Sequence, residues 1–386
     1  MSNSREHTIA VGSCQYPGSF FDNNYAYEAW QHLKDEHGKL RAQSMILLGD
    51  QIYADATAGL FETENPITQY LYPYDQLHAR LHGIKTPPAK YSLNDDHEMI
   101  ENWEPVPPQS SNAEGGEIAR SYGLACYRNH GFCKGYPSLE SDGPYFRALE
   151  YLDFPVFLCD TRTEREHRSN TNVLDAKIIS ANQMQALKDW LIDHKNNAIK
   201  IIASPAALLP RSAAANKPQP VDDHHVHGLP FTSSAIRSDA WDGYPASLCE
   251  LLGFIARESI TGVVFVSGDF HFSSVSTLQM EHKDKRVTAH LIHCSGLYAP
   301  FPFANSTPND LLLQDAFWLP ANMQTNLTSA SHAATEMEEC IKCRVETEVV
   351  AAGDGFCFIN QAEAGTIDIE FSRPHLPENP LYRKHL

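Results

Sequence analysis

Apolar residues in this chain gather into short runs that stop at polar punctuation. TIAVGSC (8–14), SMILLGD (44–50), AKYSLNDD (89–96), YLDFPVFLCDTR (151–162), AIKIIASP (198–205) and GVVFVSGDFH (262–271) all follow this pattern. Several are near-continuous apolar stretches, the mark of strands covered on both faces. Between them lie helix-like segments. In SANQMQALKDWLIDHKNN (180–197), Ser180 suits an N-cap, and Met184, Leu187, Trp190 and Leu191 recur near helical spacing. YAYEAWQHLKDEHGKL (25–40) separates the first two runs and reads as a helix crossing over between parallel strands. The alternation predicts a layered α/β domain.

Two segments interrupt it, at about 102–143 and 213–243. Both are rich in Pro, Gly, Ser and Asn and read as long loops, the places where substrates are gripped. The end, TEVVAAGDGFCFINQAEAGTIDIEFS (347–372), alternates around Gly-rich turns and predicts a hairpin or meander.

Composition narrows the function. Hydrophobic residues make up 42% and charged residues 20%, enough apolar material for a substantial core, so the 386-residue chain is expected to form a single domain. A net charge of −18 repels a nucleic-acid backbone or an anionic membrane, and no run of Lys and Arg offsets it. A small-molecule substrate fits better, and oligomeric state is not legible. The start has no apolar segment of signal-peptide length, and no stretch is long enough to cross a bilayer, which points to a cytoplasmic protein. Nine scattered cysteines agree with a reducing compartment. Cys340 and Cys343 form one CxxC without the second pair of a zinc ribbon, and read as structural thiols or a local disulfide.

The chemistry sits at the strand ends. The first run closes at Cys14, the second at Asp50 with Tyr53 beyond, the third at DDHE (95–98), and a later one at GDFH with Asp269 and His271. In open α/β sheets, ligands gather outside the carboxyl ends of the strands. One such acid is an ordinary turn residue, but four strands ending this way assemble the inventory of a metal site with room for two ions.

These residues resemble the calcineurin-like metallophosphoesterases. GDQIY, DDHE and GDFH look like that superfamily's GDxxx, GNHE and GHxH motifs. Cys14 within GSCQYPG, together with GDxxY, DDHE, GDxH, LCDTRTER and WDGYPA, is closer to its alkaline phosphatase D-like branch over about residues 9–296. The resemblance implies a four-layer αββα sandwich with two central mixed β-sheets and a C-terminal β segment. It also implies a dinuclear centre that activates water for attack on a small phosphoester. Cys14, Asp50, Tyr53 and His271 would hold one ion, and Asp96 and Asp269 the other, with Asp50 bridging. Thiolate and phenolate ligands favour Fe3+, and an oxygen-rich partner site suits Ca2+ or another divalent ion such as Mn2+, Zn2+ or Mg2+. His97 would be a proton donor or charge stabiliser at the leaving oxygen. Arg162 would be a catalytic phosphate clamp or, equally, a structural ion pair.

One superfamily feature is missing. The middle strand, IIASPAALLP, carries no histidine, so Ser204 or water would complete the second site. DDHHVHG (222–228) reads as a solvated or substrate-facing loop, Trp241 and Tyr244 as packing residues, and His293 and Cys294 as neighbours of the site. Two other functions use the same residues: binding a phosphorylated ligand without turnover, and hydrolysis of a different ester or an anhydride.

Overall fold

The computed structural model describes residues 7–18, 23–55, 67–107, 109–130, 144–149, 154–216, 231–300, 307–320, 340–363, 365–374 and 381–385. The strands are β1 (Thr8–Gln15), β2 (Ser44–Leu48), β3 (Ala89–Leu93), β4 (Arg147–Leu149), β5 (Val156–Leu158), β6 (Lys200–Ser204), β7 (Val263–Ser267) and β8 (Ser273–His282). They continue as β9 (Lys285–His293), β10 (Gly296–Tyr298), β11 (Gln314–Pro320), β12 (Cys340–Ala351), β13 (Cys357–Glu363), β14 (Thr366–Phe371) and β15 (Leu381–His385). The helices are α1 (Asn23–Ala26), α2 (Glu28–Gln31), α3 (Ile67–Leu81), α4 (Ala113–His130), α5 (Ala181–Asp193) and α6 (Pro245–Glu258).

Two mixed sheets result. The first runs β15-β14-β13-β1-β2-β3, with β10 added beside the end of β1, and the second runs β11-β12-β8-β9-β7-β6-β5-β4. In the first, β1, β2 and β3 are parallel and β13 is antiparallel to β1. In the second, β5, β6, β7 and β9 are parallel.

Strict alternation explains why the strand runs are apolar throughout. Ile9, Val11, Ile46, Leu48, Val264 and Val266 pack between the sheets. Their neighbours Ala10, Met45 and Leu47 face outward onto residues of α2, α3 and α4. On the other side, Val263 and Phe265 face α5 and α6. The layers are therefore helix, sheet, sheet, helix, the expected four-layer sandwich. Ser180 caps α5, its side chain accepting from the Gln183 N–H, and Met184, Leu187, Trp190 and Leu191 are buried as the spacing predicts.

Three expectations change. The segment at 25–40 forms only the two four-residue helices α1 and α2, then a turn in which Asp35 accepts from the backbone of His37 and Lys39. The segment at 102–143 is not all loop, because α4 fills 18 residues of it. Glycine weakens a helix in isolation, but Gly123 here permits close packing. A Cβ on Gly123 would lie 2.4 Å from the Glu98 carbonyl, and Tyr127 donates to the Ser92 carbonyl at 2.7 Å, so α4 rests directly on the DDHE loop. At the C-terminus, β13 and β14 form the expected hairpin, but TEVV belongs to β12 in the other sheet. The described part of 213–243 holds two short 3-10 turns, at Ser233–Arg237 and Trp241–Gly243. Among the described residues, no helix is long and apolar enough to cross a membrane.

The two sheets approach closely where β1 and β7 end. A methyl group on Gly268 would lie 2.6 Å from the Ser13 Cβ of the opposite sheet, closer than packed carbons approach. Gly268→Ala is expected to destabilise the protein by about 1–3 kcal/mol. Urea unfolding checks it, and a midpoint equal to wild type would show that this contact does not constrain the sandwich.

Candidate metal centre

Several residues at these strand ends share an unusual backbone. Seven non-glycine residues among those described have positive φ, and four of them are Cys14 (50°), Asp50 (52°), Asp269 (70°) and His271 (56°). L-residues adopt this left-handed region reluctantly, so surrounding structure must hold them there, as at many functional sites. Part of the hold is Gly49, where an added Cβ would lie 2.4 Å from the Asp95 Cβ.

The side chains converge. Cys14 Sγ lies 3.4 Å from Asp50 Oδ2, the His97 backbone N–H donates to Asp50 Oδ1 at 3.3 Å, and Tyr53 Oη lies 3.3 Å from His271 Nε2. Potential ligand atoms of Asp50, Asp96 and His97 all lie within 4.8 Å of one another, as do those of Asp50, Asp95 and Asp269. Asp50 belongs to both groups.

Like charges buried this closely are costly. Burial first, then the Asp96 charge, pushes the Asp50 carboxyl well above the carboxylate range. Asp95 is pushed up by burial against the pull of Arg162, and Asp269 by burial, Asp96 and Asp239, to about 7. Burial also raises the Cys14 thiol and the Tyr53 phenol and lowers His271 to about 4. Asp96 is the exception: burial opposes its ionisation, but the Arg162 and His97 charges hold it at about 2.

This set fits metal ions. Asp96 Oδ1 and His271 Nδ1 are buried without a hydrogen-bond partner. Clustered carboxylates, a neutral imidazole, a thiol and a phenol are the donors that multivalent cations ionise and bind. Their repulsion is what a cation would relieve.

Three residues escaped the sequence reading. Asp55 accepts from His97 Nδ1 at 2.8 and 2.9 Å, and also from the Glu101 N–H at 2.7 Å. Burial alone would lower the His97 pKa, but the Asp50 charge and the Asp55 hydrogen bond raise it to about 11. Tyr53 stacks against the imidazole with ring centroids 4.1 Å apart. Glu98 accepts from the backbone N–H groups of Asp50 (3.0 Å), Gln51 (2.6 Å) and Asp95 (2.7 Å). Asp95 reaches the cluster itself. Glu98 and Asp95 stand in DDHE beside the residues that were singled out, but nothing in the chain marks Asp55, whose partner is 42 positions away.

Arg162 is not arranged as a phosphate clamp. Its side chain is fully buried, and its guanidinium pairs with Asp95 and Asp239 and donates to the Trp103 carbonyl. The ion-pair reading of this arginine is the one the geometry supports. Ser204 is likewise turned away, donating to the Ala206 carbonyl and accepting from Trp241 Nε1. Trp241 and Tyr244 are fully buried packing residues. His293 meets Ser274 Oγ at 2.8 Å and packs edge-on against Phe270, one residue beyond Asp269. Cys294 lies in the core between the sheets. Cys340 and Cys343 both lie on β12, Cys343 buried and Cys340 half-buried. DDHHVHG lies outside the described residues.

The layers and the strand-end cluster define a calcineurin-like metallophosphoesterase fold. Residues 9–300 match the model of the PhoD-like phosphatase family, and the chain belongs to that family. Alkaline phosphatase D of Bacillus subtilis (strain 168) is 25% identical over 306 residues, covering 72% of this chain. The chain spans about half (48%) of that relative's length. A solved structure of PhoD superposes with a TM-score of 0.63 at 16% identity, over 99% of this chain and 69% of that one. The purple acid phosphatase PPD1 of yellow lupin (Lupinus luteus) superposes with a TM-score of 0.52 at 8% identity, over 99% and 54%. At those identities the two structures speak for the fold.

Asp269 gives a pH signature. Its folded pKa of about 7 lies above the unfolded value, so its contribution to stability is complete below about pH 4 and is lost as pH rises through 7. In metal-free protein, Asp269→Asn should therefore gain stability relative to wild type between about pH 4 and 7, then level off. Urea unfolding of chelator-treated protein across that range checks it. A difference that does not vary with pH would mean that Asp269 is not held against its charge.

Proposed function

We propose that the chain is a single catalytic domain that hydrolyses phosphate esters, diesters or monoesters, with two metal ions. The observation that carries this reading is Asp50, a buried carboxylate common to two ligand groups and flanked by the His97–Asp55 pair. In this reading Cys14, Asp50, Tyr53 and His271 hold one ion, and Asp96 and Asp269 the other, with Asp50 between them. The thiol and the phenol favour iron for the first. The oxygen-rich second site suits calcium or another divalent ion. Bound there, such ions neutralise charge on the phosphoryl group and lower the pKa of water.

The chain's own residues do the rest. Asp55 holds His97 at Nδ1, so Nε2 is the atom that delivers a proton to the departing oxygen. The Tyr53 ring fixes the plane of the imidazole, and Asp50 keeps it charged. Glu98 sets the backbone of Asp50 and Asp95, and Arg162 pairs with Asp95 from beneath without touching substrate.

Elemental analysis and a visible spectrum of protein purified without chelators test the proposal, followed by a panel of phosphomonoesters and diesters. Near-stoichiometric iron, a second ion, a broad absorption band and release of phosphate or a phosphomonoester are expected. Asp50→Asn should lose both ions and lower turnover by more than about 100-fold, and Tyr53→Phe should bleach the band. Metal-loaded protein that cleaves nothing on the panel would leave a phospho-ligand binder in place of an enzyme.

His97→Ala should lower kcat by about 100- to 10,000-fold on esters with alkyl leaving groups, and much less on 4-nitrophenyl esters, whose leaving oxygen needs no proton. Equal losses on both would place His97 outside proton delivery.

A further inference from the structure

Three arginines spaced by three, Arg162, Arg165 and Arg168, are buried beside the acidic cluster with 0%, 2% and 7% exposure. All three tie to one turn, 238–244. Arg168 pairs with Glu104 and donates to the Ser238 and Gly243 carbonyls. Arg165 Nη1 reaches Asp239 Oδ1 at 2.6 Å, and Arg162 Nη2 pairs with Asp239 Oδ2, so each carboxylate oxygen serves one arginine.

The turn is rigid. Trp241 donates from its backbone to the Ala207 carbonyl at 3.1 Å and from Nε1 to Ser204 Oγ at 3.0 Å. A Cβ on Gly243 would lie 2.0 Å from the Ser238 carbonyl oxygen, so the chain folds back on itself there without room for a side chain. The Arg168 guanidinium lies 4.4 Å from the centre of the Tyr244 ring. Asp239 is thus fixed by its own backbone.

One atom of Arg162 faces two acids. Nη2, which pairs closely with Asp239, stands 3.6 Å from Asp96 Oδ1, beyond hydrogen-bond reach. That same Asp96 oxygen is buried and has no hydrogen-bond partner among the described residues. A guanidinium beside a buried carboxylate ordinarily closes to a short charge-assisted bond. Here the short bond goes to Asp239.

We infer that Asp239 is a positioning residue that reserves Asp96 Oδ1 for the second cation by holding the Arg162 guanidinium away from it. The inference rests on the two-ion reading above. Without the Asp239 carboxylate, Arg162 Nη2 closes on Asp96, and a tethered cation then competes with the diffusible one for the same oxygen. Buried opposite charges that lose one partner are costly, which supplies the drive for that closure.

The test is calorimetric titration of calcium, and separately of manganese, into protein carrying iron at the first site, with iron content and visible spectrum measured alongside. Asp239→Asn should weaken divalent binding by about tenfold or more with the iron signals unchanged. Adding Arg162→Gln to that variant removes the competitor and should return affinity to the wild-type value or better. Wild-type affinity in Asp239→Asn overturns the inference. So does a double variant that stays weak, which would make Asp239 either a ligand itself or a general support of the site. If Asp239→Asn does not fold, the double variant alone decides by the same criterion. Wild-type protein that binds iron but no divalent ion would instead sink the two-ion reading.

Discussion

The Glu98 carboxylate, buried and acceptor to the backbone of Asp50, Gln51 and Asp95, is the contact on which the candidate centre depends. It joins the ends of two parallel strands, β2 and β3, at the point where the first turns into left-handed backbone at Asp50 and both present acids to one another. Burial raises Glu98 itself to about 7 even though three N–H groups favour its charge. The site is therefore assembled against electrostatic resistance at each level. Packing of α4 on the DDHE loop, the close approach of Gly49 to Asp95 and the arginine layer beneath hold together carboxylates that would separate in water.

Much of this was legible in the chain, for physical reasons that differ by residue. The strands were readable because both faces of β2, β6 and β7 are covered, so their residues are apolar without interruption. The ligand candidates were readable because a strand end is a fixed address, and Cys14, Asp50, Asp96, Asp269 and His271 occupy it. Helix α4 was not readable, because its glycines answer to a neighbouring loop rather than to helical propensity. Asp55 was not, because its role is given by a histidine brought to it by the third strand. Arg162 was found, but its two readings, phosphate clamp and structural ion pair, stood level until the fold put its guanidinium between Asp95 and Asp239.

Membership in the PhoD-like phosphatase family accounts for the order of the motifs and for the sandwich. The resemblance covers most of this chain but about half of the Bacillus subtilis relative, so the family describes the layers the two share. At the end of β6 stands Ser204, bonded to Trp241, and that bond anchors the turn bearing Asp239.

The left-handed backbone at Cys14, Asp50, Asp269 and His271 acts as a filter on how this centre can evolve. Asn and Asp enter that conformation most easily after glycine, and β-branched residues are penalised by their second branch at Cβ. Exchange of one side chain for another among Cys, Asp, Asn and His leaves the strand ends standing, even where the exchange removes a ligand, so the backbone and the coordination can fail separately. A change to Val, Ile or Thr fails on conformational grounds before coordination is at issue. The backbone is permissive toward exchange among these polar side chains and intolerant of branched ones.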